Sequence, residues 1–420
     1  MNYYMWTIGC QMNVADSRNL ADGLERLGYE AAAKAEDADI IVLNSCVVRQ
    51  SAENRVASKL GALRGIKKLR PEATVALMGC MVGAEVYELH ERFPPVDMFM
   101  SPQQFKPLLD IAEKRMSRAA DFEYTASAMP PTAYVPIIHG CDNFCTYCVV
   151  PYRRGREISR SIADIVDEVE SLVARGAKEV TLLGQNVDSY GHDLSDKPDL
   201  ADLLETLNDV DGLLRIRFLT SHPKDMSGRL IEAVGKLDKV CEHISLPFQA
   251  GDNDILVAMH RGYTIDQYRA LVERIRNVIP NAAISTDLIV GFPGETDAQF
   301  EQSYALLRDV KFDMVHVAMY SPRPETYASQ HLTDDVPPDV KKERLDRVEV
   351  LQEKVVTEVN ARLLGTTVEV LVEGTKKGRW FGRTRTDKLV FFDDERDLLG
   401  QIAKIEVKKT GAWSLQGTAI

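Results

Sequence analysis

Gly140-Cys141-Asp142-Asn143-Phe144-Cys145-Thr146-Tyr147-Cys148 sets three cysteines in a CxxxCxxC spacing, in a 420-residue chain with only seven cysteines. Thiolates are the soft ligands that iron–sulfur clusters prefer, and a four-iron cubane takes one ligand per iron. Three local thiolates leave one iron without a protein partner. An open coordination position is what a metal centre needs in order to bind a substrate or cofactor. A zinc knuckle with a distant fourth ligand and three unrelated thiols are the alternatives, but chance clustering of three among so few cysteines is a poor explanation.

Around this loop the composition is that of an ordinary globular chain, 45% hydrophobic, with enough length for sizeable cores. A prior of about 150 residues per domain suggests two to four domains. No run of about 18 apolar residues occurs, so no membrane association is expected. Met1-Asn2-Tyr3-Tyr4-Met5-Trp6 enters strand-like sequence at once, without the basic-then-apolar pattern of an export signal. The cysteines are too few for a disulfide framework, and a cytoplasmic location suits thiolate clusters. A net charge of −12 excludes a generally nucleic-acid-adhesive surface. Any RNA contact must then come from local basic patches.

The first 115 residues alternate between strand and helix patterns. Strands are expected at Tyr4–Ile8, Asp39–Leu43 and Thr74–Met78. Helices are expected at Ser17–Leu27, with Asp16 as N-cap, at Ala52–Leu69 and at Ala84–Arg92. Such alternation predicts a doubly wound parallel sheet. Cys10, Cys46 and Cys80 each stand just past a strand's carboxyl end, and in parallel sheets those ends share one edge. Singly each reads as a small core residue; together they predict a second three-cysteine cluster.

Residues 116–133 read as a linker, and from Tyr134 a new series begins. Strands are expected at Tyr134–His139, Glu179–Leu183, Leu214–Thr220, His243–Pro247, Ala283–Val290 and Met314–Tyr320, with helices between them. Six alternations predict a partial (β/α)6 barrel with its chemistry at the strands' carboxyl ends, where the cysteine loop already sits. Gly184-Gln185-Asn186 and Gly291-Phe292-Pro293-Gly294 rim that end. Further candidates there are Asp287, which could face the lumen or pair structurally, Arg323, which could reach the site, and His243 and Gln249, which read more often as structural polar residues than as ligands. Arg153, Arg154, Arg156 and Arg160 follow the cysteine loop and suit either RNA phosphates or surface ion pairs. Cys241 reads as a core thiol.

The tail changes character again. Short alternating segments punctuated by glycine predict a small antiparallel β-barrel over 365–420. Residues 366–420 carry ten Lys or Arg against eight Asp or Glu, whereas the rest holds 41 against 55. Lys376, Lys377, Arg379, Trp380, Arg383 and Arg385 mix cations for phosphates with an aromatic for unpaired bases. A solvated basic hairpin is the alternative to RNA contact. The fold class expected is therefore α/β, divided at 1–125, 126–364 and 365–420.

Over nearly its whole length the chain resembles the radical S-adenosylmethionine (SAM) methylthiotransferases. Gly9-Cys10-Gln11-Met12-Asn13 with Asp16-Ser17, Asn44-Ser45-Cys46 and Gly79-Cys80-Met81 carry the likeness in the N-terminal part. Cys148-Val149-Val150-Pro151-Tyr152 with Arg154-Gly155-Arg156-Glu157, Leu183-Gly184-Gln185-Asn186-Val187 and Arg261-Gly262-Tyr263-Thr264 carry it in the barrel. Gln11-Met12-Asn13 points to the members that act on isopentenylated tRNA. Members acting on threonylcarbamoyl-adenosine or on a ribosomal protein tend to differ there. After Tyr320-Ser321-Pro322-Arg323 the family usually reads Pro-Gly-Thr-Pro, whereas this chain has Pro324-Glu325-Thr326-Tyr327, and His139 replaces a common acidic residue.

The resemblance implies two 4Fe-4S clusters and SAM as cofactors. The cluster on Cys141, Cys145 and Cys148 would cleave SAM to a 5′-deoxyadenosyl radical, with Tyr147 beside the adenine and Gly184–Asn186 near the methionine portion. The cluster on Cys10, Cys46 and Cys80 would supply sulfur, and a C-terminal TRAM-type barrel would bind RNA. The expected partners are tRNA bearing isopentenylated adenosine and a reducing electron-donor protein, with the chain a monomer. A non-catalytic RNA-binding iron–sulfur sensor is the rival of another class.

Overall fold

The computed structural model describes residues 1–47, 50–83, 86–116 and 129–420. The chain forms two compact units. One comprises residues 1–128, 139–142 and 149–157, and the other comprises 129–138, 143–148 and 158–420. Most of the expected linker, and with it the boundary at 125/126, lies outside the described residues.

In the first unit the elements run β1 (Asn2–Thr7), α1 (Gln11–Arg26), β2 (Glu30–Ala31), β3 (Ile40–Ser45), α2 (Gln50–Leu69), β4 (Thr74–Gly79), α3 (Val86–Arg92), β5 (Met98–Met100) and α4 (Lys106–Met116). The strands pair in parallel in the order β2-β1-β3-β4-β5. Every residue of β3 and β4 is buried, because helices cover both faces. Ile41, Leu43, Val75 and Leu77 pack with Val56 and Leu60 of α2, while Ile40, Val42, Ala76 and Met78 pack with Leu20, Leu24 and Leu108 of α1 and α4. The two sets alternate along each strand, as a period of two requires. The doubly wound sheet is as expected.

The start of the first helix differs most. Asp16 is no N-cap: α1 starts at Gln11 with Cys10 in the cap position. Asp16 is buried inside the helix because its carboxylate pairs with Arg154 at 3.1 Å. The expected start of the third helix, Ala84, lies outside the described residues.

The second series comprises β6 (Thr132–Pro136), β7 (Ile138–His139), α5 (Val150–Arg154, which belongs to the first unit), β8 (Ile158–Ser159), α6 (Ile162–Ala174), β9 (Glu179–Leu183), α7 (Leu200–Asn208), β10 (Arg215–Phe218), α8 (Gly228–Lys236), β11 (His243–Ser245), α9 (Asn253–Ala258), α10 (Ile265–Val278), β12 (Ala283–Val290), α11 (Asp297–Val310), β13 (Met314–Met319), α12 (Tyr327–His331) and α13 (Pro338–Ala361). Parallel ladders β6-β9-β10 and β11-β12-β13 are joined by a bridge between Ile216 and Val240, giving the partial six-stranded barrel. Capping boxes at Asp199/Asp202, Thr264/Gln267 and Thr296/Gln299 fix where α7, α10 and α11 begin. Helix α13 is anchored by Arg344, whose guanidinium meets Glu295 and Asp297, both at 2.7 Å.

The tail closes into a barrel of β14 (Thr367–Lys376), β15 (Arg379–Thr384), β16 (Leu389–Asp393), β17 (Ile402–Thr410) and β18 (Leu415–Ala419), in the order β14-β15-β16-β18-β17. Closure leaves no edge strand exposed. Its interior holds Val370, Val372, Val390, Phe392, Ile405, Val407 and Leu415. This barrel docks on the amino ends of the (β/α) strands. Arg215 donates to the Arg383 carbonyl at 2.8 Å, and Arg217 donates to the carbonyls of Thr384 and Arg385 at 2.6 and 2.7 Å. Arg217 also pairs with buried Glu179 at 2.9 Å. Removing one partner of such a buried pair strands the other charge. Arg217→Met should therefore lower unfolding free energy by about 3–5 kcal/mol, read as an earlier urea midpoint.

Candidate active site

The N-terminal cysteines are brought together by adjacent parallel strands. Cys10 follows β1, Cys46 follows β3 directly and Cys80 follows β4 directly, and the register aligns Thr7 with Asn44 and Ser45 with Gly79. Two glycines make the approach possible. A Cβ on Gly9 would lie 2.9 Å from the Cys46 Cβ, and one on Gly79 would lie 2.4 Å from both the Asn44 Oδ1 and the Ser45 carbonyl. Gly79 also has φ +99°, which only glycine adopts freely.

Below the thiols lies a closed amide network. Asn13 donates to the Asn44 Oδ1 and the Ser45 carbonyl at 2.8 and 2.9 Å, and Asn44 donates back to the Asn13 carbonyl at 2.8 Å and to the Ser17 hydroxyl at 2.9 Å. The Cys10 thiol donates to the Asn13 Oδ1 at 3.2 Å. Asn13, Ser17 and Asn44 thus earn their place in the quoted motifs as the floor of a thiol site. Burial pushes the Cys80 thiol up to about 11, partly offset by the nearby Arg154 guanidinium and reinforced by Cys46 and Cys10. Cys46 and Cys10 thus each lie close enough to Cys80 to act on it electrostatically.

Of the four arginines after the cysteine loop, each has a structural partner. Arg154 is buried against Asp16, with side chains 3% and 1% exposed. Its charged state is favoured despite burial, because Cys80, Asp16 and Cys10 surround it. The RNA-facing reading of Arg154 is thereby corrected: a guanidinium so enclosed meets no phosphate. Arg156 grips Asp142 in a bidentate pair at 2.6 and 2.9 Å on the surface, which holds the Asp142 carboxyl below its usual range. Arg160 is tied to Glu168 at 2.6 Å and to the Pro136 carbonyl at 2.8 Å. Arg153 packs against Gly83.

The CxxxCxxC loop is pinned along its length. In the first unit, the Cys141 N–H donates to the Gly155 carbonyl at 3.1 Å. Gly140 has φ +77° and no room for a Cβ beside the Arg156 carbonyl. In the second unit, Thr146 donates to the Met259 and Ala258 carbonyls at 3.1 and 2.8 Å, and Lys224 donates to Asn143 at 2.7 Å. Arg261, which the sequence reading quoted only within a motif, donates to the Cys145 sulfur at 3.3 Å. It also reaches the Pro247 carbonyl at 3.2 Å and lies over the Tyr263 ring. Tyr147 packs half-buried against the barrel core, and burial raises its hydroxyl pKa.

At the carboxyl end of β9, Gln185 Oε1 and Asn186 Oδ1 are buried without a hydrogen-bond partner. The Asn186 amide instead donates to Asp225 at 2.7 Å. Gly184 is glycine because a Cβ would strike the Ile138 Cγ2 at 2.5 Å, so its role is packing. Beside it lies a buried polar group that sequence reasoning missed. Asp188 accepts from the Ser221 hydroxyl and the His222 N–H, both at 3.0 Å, and burial pushes its carboxyl up to about 7. No spacing signal marked it, since its members come from two different loops.

Asp287 lies on β12 on the face opposite Ile284, Leu288 and Val290, and the Gln249 N–H donates to its carbonyl at 2.9 Å. Gln249 is buried with φ +66°. One reading changes. His243 opens β11 and so sits at the strand's amino end, among Arg217, Asp387 and Lys388. Gly291 has φ +71° and its Cβ position filled by the Lys341 side chain. Glu325, at the position where relatives usually have glycine, keeps φ +72°.

In the tail, Arg385 is bound to Glu242 at 2.6 Å and to the Asp238 and Val240 carbonyls at 2.9 and 2.6 Å, so it belongs to the barrel-docking surface. Arg383 pairs with Asp387 at 3.2 Å beside it. Trp380 packs on the barrel interior and donates to the Asp394 carbonyl at 3.1 Å. Lys376 and Lys377 are exposed at the β14–β15 turn, and Arg379 reaches Asp393 at 3.2 Å. Phe381 and Phe391, paired across β15 and β16 with ring centroids 6.2 Å apart, are two aromatics on the outer face.

Three family models match consecutive parts of the chain: an uncharacterized protein family, UPF0004, over residues 2–101, the radical SAM superfamily over 135–307 and the TRAM domain over 361–420. The tRNA-2-methylthio-N(6)-dimethylallyladenosine synthase of Dehalococcoides mccartyi strain CBDB1 is 52% identical over 419 residues, covering 100% of this chain and 98% of that protein. The chain belongs to the tRNA-2-methylthio-N(6)-dimethylallyladenosine synthase family. A Chloroflexus aurantiacus member is 49% identical over 422 residues, covering 99% of this chain and 91% of its own. The fold also resembles the radical SAM methyltransferase TsrM from Kitasatospora setae, solved with cobalamin and a 4Fe-4S cluster bound, with TM-score 0.59, 14% identity and coverage of 90% and 80%.

This family uses SAM and two 4Fe-4S clusters. Among the described residues no three His, Cys, Asp or Glu side chains meet as they would around a single metal ion. The fit to the cofactors rests instead on donor chemistry. Six thiols stand in two trios, and two buried, unpartnered carbonyl oxygens at the carboxyl end of β9 suit the ammonium group of SAM.

Burial holds His243 down to about 4, against an ordinary value near 6.5. Between those values the unfolded chain binds the extra proton, so stability is complete above pH 6.5 and lost as pH falls. The expected slope is about 1.4 kcal/mol per pH unit for this histidine. Urea midpoints between pH 7 and 4 measure it, and His243→Gln should flatten the dependence.

Proposed function

We propose that this chain adds a methylthio group to C2 of N6-isopentenyladenosine beside the tRNA anticodon, as a cytoplasmic monomer served by a reducing electron-donor protein. The observation that carries the reading is the pair of cysteine trios, one local in sequence and one assembled at three adjacent strand ends. When bound, the two clusters and SAM supply the radical and the sulfur that an aromatic C–H substitution needs, which side-chain acid–base chemistry cannot.

Within this reading Cys141, Cys145 and Cys148 hold one cluster, and Arg261 steadies the Cys145 sulfur. Gln185 and Asn186 accept hydrogen bonds from the SAM ammonium, with Tyr147, Gln249 and Asp287 around the same strand ends. Cys10, Cys46 and Cys80 hold the other cluster. Lys376, Lys377 and Arg379 contact RNA phosphates, and Phe381 and Phe391 offer faces for unpaired bases, a part first given to Trp380. Arg383 and Arg385 are left to barrel docking.

Nucleosides from a strain lacking this gene should lose the methylthio-isopentenyl form by mass spectrometry and regain it with the wild-type gene but not with Cys80→Ala; unchanged levels would sink the assignment. Replacing Lys376 and Lys377 together by Ala should raise KM for tRNA and leave kcat intact. Each lost phosphate contact should reduce the salt slope of binding by about one.

A further inference from the structure

Arg154 has one nitrogen that the protein leaves without a partner. Its Nη2 pairs with the Asp16 carboxylate at 3.1 Å and the guanidinium reaches the Cys80 sulfur, while its Nη1 is buried and no acceptor meets it in hydrogen-bond geometry. A buried, unpartnered guanidinium N–H is costly, so such an atom calls for a ligand. The charges acting on this guanidinium come from Cys80, Asp16 and Cys10. The side chain is thus held by Asp16 on one side and turned toward the thiol site on the other.

The segment that delivers it is held in place too. Val149 is buried in a cluster with Val47 and Cys80. Gly83 leaves room for the Arg153 guanidinium, since a Cβ there would lie 1.7 Å from its Nη1. Asp16 is exposed by only 1% and sits within α1, two turns from Cys10. Helix α5 therefore presents Arg154 from a fixed base.

We propose that Arg154 is a positioning residue for the sulfur-bearing group held by Cys10, Cys46 and Cys80, with its Nη1 reserved as a hydrogen-bond donor to that group. This rests on the reading that the trio holds an iron–sulfur cluster. A fixed cation beside a cluster in a poorly polarisable setting stabilises its reduced, more negative state, and hydrogen bonds to cluster sulfurs act in the same direction. Arg154 therefore raises the reduction potential of this cluster and leaves the Cys141–Cys148 cluster to its own partner, Arg261.

The test uses full-length protein with Cys141, Cys145 and Cys148 replaced by Ala, reconstituted anaerobically, so that only the N-terminal cluster is present. Iron content and an EPR-monitored redox titration are read for Arg154→Gln, Arg154→Lys and Asp16→Asn. Arg154→Gln is expected to shift the midpoint negative, Arg154→Lys to shift it less, and Asp16→Asn not to shift it negative. Iron loss in Arg154→Gln with unchanged circular dichroism and melting also supports the proposal. An unchanged midpoint in Arg154→Gln with full iron overturns it. So does an equal negative shift or equal unfolding in Arg154→Gln and Asp16→Asn, which would assign Arg154 to the ion pair alone. Absence of iron from the triple-Ala parent would instead sink the cluster reading beneath the proposal.

Discussion

Parallel pairing brings the carboxyl ends of all strands in a sheet to one edge, and both cysteine sites depend on that constraint. In the N-terminal sheet it converts cysteines 36 and 34 residues apart into neighbours. In the barrel it sets the CxxxCxxC loop, Gln185, Asn186 and the Asp188 network at the same kind of edge. Antiparallel pairing would scatter the same residues to opposite ends.

Placing thiols together is only the first requirement, because a thiolate in a buried site needs a compensating charge. Each trio has one buried arginine for this. Arg261 donates directly to Cys145, and Arg154 lies beside Cys80 with Asp16 behind it. The two arginines differ in their other partners. Arg261 is spent on a carbonyl and a tyrosine ring, whereas Arg154 keeps a nitrogen unpartnered. One chain can in this way give two thiol sites different electrostatic surroundings.

The tail follows a different logic. Its closed barrel attaches through the turn that carries Arg383 and Arg385, whose carbonyls are gripped by Arg215 and Arg217. Docking at the strands' amino ends leaves the carboxyl ends free of the tail. Lys376 and Lys377, outside the docking surface, lie at the other turn, between β14 and β15. Basic residues adjacent in sequence thus serve two separate purposes, binding the barrel and facing solvent.

Element order, the parallel sheets and the CxxxCxxC trio were legible in the chain alone, because hydrophobic period, capping residues and thiol spacing are local signals. Cys10, Cys46 and Cys80 became a trio only through the parallel sheet that the pattern implies. Strands β9 and β12 begin and end where those signals place them. Tertiary structure alone decided what the polar side chains do, since their partners lie far away along the chain. Asp16 reads as a helix cap until Arg154, 138 residues on, takes its carboxylate. Arg385 reads as an RNA contact until Glu242 holds it, and Trp380 until strand alternation turns it inward and turns Phe381 out. A charge or a ring shows its chemistry in the sequence, but burial and a distant partner decide whether that chemistry is offered to a ligand or spent on the fold.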